Sequence, residues 1–549
     1  MSIKARKNIT EYWLNYQFGG KYKWKTFEHN GVMFPSEYEV QNIPIIYDGY
    51  EIMLDKKNEE IAFLYAKYID SDYAKAGTFN RNFWKDWRNI LGKNHQIKSF
   101  DKLDFTQMKN HLDIRKEKHK TCEKRKAQLE KIKQRSEKYS TAKVDGNSQP
   151  VGNFRMEPPG IFLGRGKNPK LGKIKRRVYP EDITLNLGRD AKIPELPKEL
   201  SNHRWGKIIH DRTVEWLASW KDNITGKTKY VRLGASSEFK SDSDKSKFDL
   251  ARKLKRKIKR IRDTNIENMA SDDKIKRQIA TATYFIDKLA LRVGNEKGKG
   301  ETDTVGVSSL RVEHISFGDD NAITLDFLGK DSIRYFNKIR VDPLVYINLK
   351  EFVKGKNKSD MIFGLVNPSH INRYLQEFMK GLTAKVFRTY NASIIFQKEL
   401  NKISRKTDGA ETEFRKCLIL DEFSKANAKV AQVMNHQKNV SKSYKGQLEK
   451  IGEQIKNIQK RLRNARKSKR KNPETIKKLE AKLKSKKSKK QVKKDLKNIS
   501  LDTSKANYID PRITVAFFKL HDVPIEKVFS SALRKKFKWA FDVDKSYVF

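Results

Sequence analysis

From about Lys21 to Leu91, short aromatic and β-branched runs alternate with helical stripes. Pro44-Ile45-Ile46-Tyr47-Asp48-Gly49-Tyr50 predicts a strand running into a turn, and Glu60-Ile61-Ala62-Phe63-Leu64-Tyr65-Ala66 predicts a helix, so the block reads as α/β. Arg115 to Lys143 is polar almost all round, the pattern of an exposed connecting helix that ends at the Asp145-Gly146-Asn147-Ser148 loop. Phe154 to about Ser237 is richer in Gly, Pro and strand signals. After a Ser/Asp/Lys-rich break at Ser241 to Lys247 the chain reads as mainly helical up to Tyr444.

Four patterns in that region each lead to a basic residue, the third of them to two. Ile279, Ala282, Ile286 and Leu289 recur at helical spacing, with Arg292 next on the stripe and Gly294 as C-cap. Ile323, Leu325 and Phe327 alternate, then Leu328-Gly329-Lys330-Asp331-Ser332 gives way to Ile333 and Tyr335, a hairpin with Lys330 at its tip. Phe378 and Leu382 lead a further helical pattern into Lys385-Val386-Phe387-Arg388, where Lys385 and Arg388 share a face. Phe423, Ala426, Val430 and Val433 form another stripe, and His436 follows three residues on. From Tyr444 to Ser500 lysine dominates. Leu448, Ile451, Ile455, Ile458 and Leu462 step by three and four, the turn falls at Asn472-Pro473, and Ile476, Leu479 and Leu483 resume the seam. That predicts an antiparallel helical hairpin with cationic faces. Just beyond it, in Ser504-Lys-Ala-Asn-Tyr508-Ile-Asp-Pro-Arg512, Asp510-Pro511 ends whatever helix carries Tyr508.

Charge changes the picture. The 549 residues suffice for three or four domains, and 119 Lys+Arg against 67 Asp+Glu leave a net charge of +52. Such self-repulsion implies a polyanionic partner. No apolar run approaches the ~20 residues that span a bilayer. Met1-Ser2-Ile3-Lys4 has no apolar signal core, which predicts a soluble intracellular protein. Cys122 and Cys417, the two cysteines, form neither a disulfide framework nor a zinc ligand set, and the ten histidines lack metal spacing, so no metal or cofactor is expected. Tyr22, Trp24, Phe83, Trp84 and Trp87 read as core in preference to a base-stacking surface. Pro158 to Lys170 lacks the Gly-Lys-Ser/Thr ending of a nucleotide loop, which excludes ATP there. It reads either as a basic loop lying against a nucleic-acid backbone or as a structural turn.

Arg292, Lys330, Arg388 and His436 each have an ordinary explanation alone: a core salt bridge, an exposed turn lysine, a helix cap. Together with Tyr508 they resemble one family. Tyr284 to Arg292, Phe327 to Tyr335, Gly381 to Ser393, Asn435-His436-Gln437 and Ser504 to Thr514 are similar to the eukaryotic-type DNA topoisomerase IB, and the likeness covers nearly the whole chain. The resemblance implies a multidomain α+β fold: a bilobed DNA clamp with a mainly helical, tyrosine-recombinase-like catalytic domain and a coiled-coil linker. Its expected divisions are an α/β cap at 1–115, a connecting helix and second lobe at 116–237, the catalytic core at 238–439, the linker at 440–500 and a C-terminal domain at 501–549. It further implies Tyr508 as nucleophile, with Arg292, Lys330, Arg388 and His436 as partners. Arg165, Asp331 and Asn507 match positions beside the cleaved bond, where camptothecin-type poisons stack, and Lys385 is expected on DNA. The implied activity is nicking of duplex DNA through a 3′-phosphotyrosyl bond, relaxation of supercoils of either sign, and resealing without ATP or metal, by a monomer.

Two departures stand out. The family's Arg-Gly-Arg-Gly appears as Leu163-Gly164-Arg165-Gly166, which removes one DNA contact. The resemblance implies a nuclear setting, but the family's long charged N-terminal extension with import signals is not in this sequence, which makes a viral factory or virion the alternative. Two rival readings stand beside this one. A tyrosine recombinase uses the same residue types, though with His-x-x-Arg where this chain has Lys385-Val386-Phe387-Arg388, and a non-enzymatic basic DNA-binding protein would account for the charge alone.

Overall fold

Ile45–Tyr47 and Tyr50–Ile52 pair antiparallel across Asp48 and Gly49, whose φ values of 52° and 86° are what a tight hairpin turn requires. In this computed structural model the described residues are 22–118, 122–295, 297–298, 300–407, 412–438, 440–441, 443–467 and 472–549. The Met1-Ser2-Ile3-Lys4 reading and the side chains of Cys122 and Cys417 lie outside them. The chain divides into two units, 1–242 with 298–302, and 243–297 with 303–549.

The first unit holds small sheets and short helices. Strands Thr184–Asn186, Lys207–Ile209, Trp216–Lys221 and Thr228–Arg232 form its four-stranded sheet. Trp24 packs in one of its cores and Phe83 with Trp87 in another, so these aromatics are core and not a stacking platform. Tyr22 stays 42% exposed, with the Arg212 guanidinium 4.5 Å from its ring centroid. The connecting segment differs from expectation. Helices occupy Thr106–Lys118 and Cys122–Glu137, after which Thr141–Val144 and Asn147–Pro150 form a hairpin turning at Asp145-Gly146. Ala142 and Val144 are buried while Thr141 and Lys143 face out, a period-two pattern that the neighbouring lysines hide in the sequence.

The second unit is mainly helical around one large core. Lys274–Lys288 buries Ala282, Phe285 and Ile286, and Ala384–Thr407 buries Phe387, Ala392 and Phe396. Its antiparallel sheet is Ile315–Phe317, Ala322–Leu328 and Arg334–Arg340. The pattern through Phe378 and Leu382 is not one helix: Pro368–Phe378 ends, Gly381 turns with φ 80°, and a new helix starts at Ala384. Tyr444–Lys467 and Pro473–Asp495 pack against each other over Ile458, Leu462 and Leu479. Asn472 caps the second of these helices by accepting from the Thr475 amide, with Pro473 in its first turn. Where this hairpin leaves and rejoins the body the two chains are clasped. Lys438 N donates to Asn498 O (2.9 Å), Ser500 N donates to His436 O (2.8 Å), and Gln437 bridges Ile499. Among the described residues no helix is long and apolar enough to cross a membrane.

Candidate active site

Arg292 is reached by leaving a helix, not by continuing one. Lys274–Lys288 ends with Leu289 as its cap, and Ala290 takes φ 51°, so the expected placement of Arg292 on the apolar stripe is wrong. Gly294 is no C-cap either. With φ 86° it lies against Gly306, where a methyl on either glycine would collide with the other's backbone, 2.5 Å from Gly294 Cα in the case of Gly306. The close approach lets Val307 N donate to Arg292 O (2.9 Å) and Ser308 N to Val293 O (2.7 Å), which fastens the backbone of Arg292. Gly306→Ala is therefore expected to cost about 1–3 kcal/mol by overpacking and to displace Arg292, lowering activity as well as the denaturant midpoint.

Arg388 enters from Ala384–Thr407 and is only 4% exposed. Its Nη1 donates to Ala290 O, its Nη2 donates to Met434 O at 3.1 Å, and the buried Nε finds no acceptor among the described residues. One side chain thus joins the two segments that deliver Arg292 and His436. Burial, then the Arg292 charge, pull its guanidinium down to about 10, which leaves it cationic at neutral pH. Lys385 does not share this setting. It is exposed and repels Lys247, as does Lys536. The three form a separate cationic patch, bridged in part by Asp244, which pairs with Lys247 (3.0 Å) and Lys536 (3.4 Å).

His436 follows the end of Thr412–Val433, after Asn435 turns with φ 54°. It is buried, with Nδ1 2.8 Å from Ser504 Oγ and Nε2 3.5 Å from Arg388 Nη2. Burial first, then Arg388 and Arg292, hold its pKa down at about 3, so the ring is neutral. Its ring stacks on that of Tyr508, centroids 5.2 Å apart. Lys330 and Asp331 lie on the tip of the Ala322–Leu328/Arg334–Arg340 hairpin, both exposed, with Asp331 and Ser332 in left-handed backbone (φ 67° and 58°). Arg292, Arg388, His436, Lys330 and Asp331 line one cavity of about 150 Å³.

Tyr508 caps the Leu501–Asn507 helix and is 7% exposed. The Arg388 and Arg292 guanidinium carbons stand 5.0 and 6.0 Å from its ring centroid. Burial alone would raise its hydroxyl. The Arg388 and Arg292 charges and hydrogen bonds more than reverse that, leaving it below the ordinary tyrosine value. Its backbone is tied to the helix that carries Arg388, because Ser393 Oγ donates to Tyr508 O (3.3 Å) and accepts from Asp510 N (3.1 Å). Asp510, fully buried, takes the Arg512 guanidinium (2.8 Å to Nη2) and the Tyr547 hydroxyl (3.1 Å). Asn507 is exposed, its amide donating to Thr503 O at 3.2 Å. Arg165 belongs to the first unit, exposed between Gly164 (φ 60°) and Gly166 (φ 58°).

Ser504 and Ser393 were not expected from the sequence. Their partners are distant along the chain, and an isolated serine carries no signal of its own.

Residues 22–233, 236–469 and 480–549 match, in turn, the DNA binding fragment of eukaryotic DNA topoisomerase I, its catalytic core, and the C-terminal topoisomerase domain. DNA topoisomerase 1 of Homo sapiens is 39% identical over 561 residues, which cover 96% of this chain and 72% of that protein. The Caenorhabditis elegans protein of the same name is 40% identical, over 99% of this chain and 70% of its own length. The chain belongs to the eukaryotic DNA topoisomerase I family. DNA topoisomerase 1 beta of Arabidopsis thaliana is 46% identical over 557 residues and 96% of this chain, which spans 60% of that relative's length. Of the family's matched segments, the catalytic core contains Arg292, Lys330, Arg388 and His436, and the C-terminal domain contains Tyr508.

Proposed function

We propose that this chain is a type IB DNA topoisomerase. The observation that carries the reading is the gathering of two guanidiniums and a neutral imidazole around one buried tyrosine, beside a cavity that a lysine also lines. A free tyrosine ionises only about once in 10³ at neutral pH, a cost of roughly 4 kcal/mol, and the Arg388 and Arg292 charges lower it. Tyr508 Oη gives up its proton to solvent water and attacks a DNA phosphorus in line, the P–O5′ bond breaks, and a 3′-phosphotyrosyl ester and a 5′-hydroxyl result. Arg292, Arg388 and His436 stabilise the negative charge that builds on the non-bridging oxygens. Lys330 gives its proton to the departing 5′-oxygen, which would otherwise leave as a strongly basic alkoxide. Because one phosphate ester replaces another, resealing is the same reaction reversed and draws on no nucleotide.

In this reading the partner is double-stranded DNA, the family's bilobed clamp holds it, and the Lys-rich hairpin is a coiled-coil linker that drags on the rotating end. Arg165, Asp331, Asn507 and Lys385 contact DNA, and the protein works as a monomer. Family membership supports a nuclear setting in general terms and gives no support to a viral factory or virion. Shortening the hairpin within 444–495 is expected to change the number of turns released per cleavage event. Identical step sizes in single-molecule supercoil traces would exclude a drag role.

Relaxation of supercoiled plasmid in EDTA without nucleotide tests the reading. Intact protein should relax both positive and negative supercoils. Absence of relaxation, or strand exchange between two marked duplexes, would turn the assignment towards a DNA-binding protein or a recombinase.

A further inference from the structure

Ser504 lies one helical turn before Tyr508 and is fully buried. Its carbonyl accepts the amides of Tyr508 and Ile509, each at 3.0 Å, while its hydroxyl stands 2.8 Å from His436 Nδ1 and meets no other partner among the described residues. The other ring nitrogen, Nε2, is 3.5 Å from Arg388 Nη2. A guanidinium can only donate, so the arrangement as it stands makes Nε2 the acceptor and puts the ring proton on Nδ1, donated to Ser504 Oγ. That tautomer is wrong for the chemistry, since Nε2 would meet a phosphoryl oxygen lone pair to lone pair. Doubly protonating the ring is no remedy beside two guanidiniums.

A hydroxyl is the side-chain group that resolves this at a fixed position, because it both accepts and donates and turns without moving its oxygen. A carboxylate would accept only, and an ammonium would donate only. We propose that Ser504 is a positioning residue that sets the tautomer of His436, resting on the topoisomerase reading above. With the cavity empty, Nδ1–H donates to Ser504 Oγ and Nε2 faces Arg388. When a phosphodiester takes the Arg388 N–H, the Ser504 O–H turns to donate to Nδ1, and the ring carries its proton on Nε2, facing a phosphoryl oxygen. One proton leaves Nδ1 to solvent water and one arrives at Nε2 from it, so the net charge is unchanged. The same short helix holds Ser504 and ends at Tyr508, so the nucleophile and the group that orients the imidazole arrive together.

The test uses the full chain and a suicide duplex that traps the phosphotyrosyl adduct in a single turnover. Ser504→Ala is expected to slow adduct formation by about 10- to 100-fold, within the coupling seen between side chains of one hydrogen-bond network, with DNA affinity unchanged. Ser504→Ala added to His436→Ala should slow it no further than His436→Ala alone. In ¹⁵N-histidine-labelled protein carrying Tyr508→Phe, His436 should pass from the Nδ1–H to the Nε2–H signature on adding duplex DNA, and the change should be lost with Ser504→Ala. Cleavage by Ser504→Ala at the rate of the intact protein overturns the proposal. So do losses that multiply with His436→Ala, or one tautomer with and without DNA. If the intact protein forms no adduct at all, the topoisomerase reading fails first, a separate result.

Discussion

Tyr508→Phe is expected to abolish plasmid relaxation while leaving DNA affinity and its salt dependence unchanged. The substitution removes one oxygen and keeps the ring, so the stack on His436 and the packing of the two guanidinium carbons at 5.0 and 6.0 Å remain filled. The backbone ties through Ser393 involve no part of the hydroxyl. Affinity rests on the large excess of Lys and Arg, which acts through counterion release and does not depend on the nucleophile. What disappears is the hydroxyl proposed to form the covalent bond, which two arginines hold below the ordinary tyrosine value. The check is a relaxation assay alongside filter binding across a salt series. A Phe variant that still relaxes plasmid would sink the assignment of Tyr508. One that binds DNA as the parent does yet leaves supercoils intact would exclude a purely charge-based role.

Arg388→Ala is expected to fail twice over, in catalysis and in stability. Losing one donor to the developing oxyanion typically slows the chemical step by about 10²–10³. The same change leaves the Ala290 and Met434 carbonyls without the guanidinium, and a buried group stripped of its partner costs about 1–3 kcal/mol. It also frees the segments that carry Arg292 and His436 from each other. Arg388→Lys separates the two effects. It restores charge, but one ammonium cannot hold both carbonyls and present a buried Nε as the planar fork does, so it should recover part of the stability and little of the rate. Single-turnover cleavage and chemical denaturation on both variants measure this. Arg388→Ala cleaving within tenfold of the parent would remove Arg388 from the proposed machinery.

Much of this arrangement is legible in the sequence because it depends on local periodicity. Alternation through Ile323 to Phe327 and again at Ile333 and Tyr335 gives the hairpin and puts Lys330 at its tip. The three-and-four stepping through Ile458 and Leu462, resumed through Ile476, Leu479 and Leu483, gives the helical pair. What the sequence hides depends on where helices stop and on long-range partners. Extrapolating a 3.6-residue period past Leu289 misplaces Arg292, because the chain departs at Ala290, a residue with no marked taste for positive φ. Spacing puts Lys385 and Arg388 on one face, yet one is exposed and the other buried. The helix start at Ala384 sets which of them points at Ala290, and no local pattern encodes that. Thr141–Val144 is lost in a lysine-rich stretch for the opposite reason, being too short for its alternation to stand out. Ser393 and Ser504 act on groups more than sixty residues away in sequence, beyond any window.

The clasp at the foot of the Lys-rich hairpin makes arm length a free parameter. With Ser500 N held on His436 O and Lys438 N on Asn498 O, the two ends are fixed side by side whatever lies between them. Residues can be gained or lost at the far tip in matched turns without moving the imidazole or Ser504. If the arm drags on turning DNA as proposed, that lever can be retuned by simple insertion or deletion, while the geometry around Tyr508 is inherited intact.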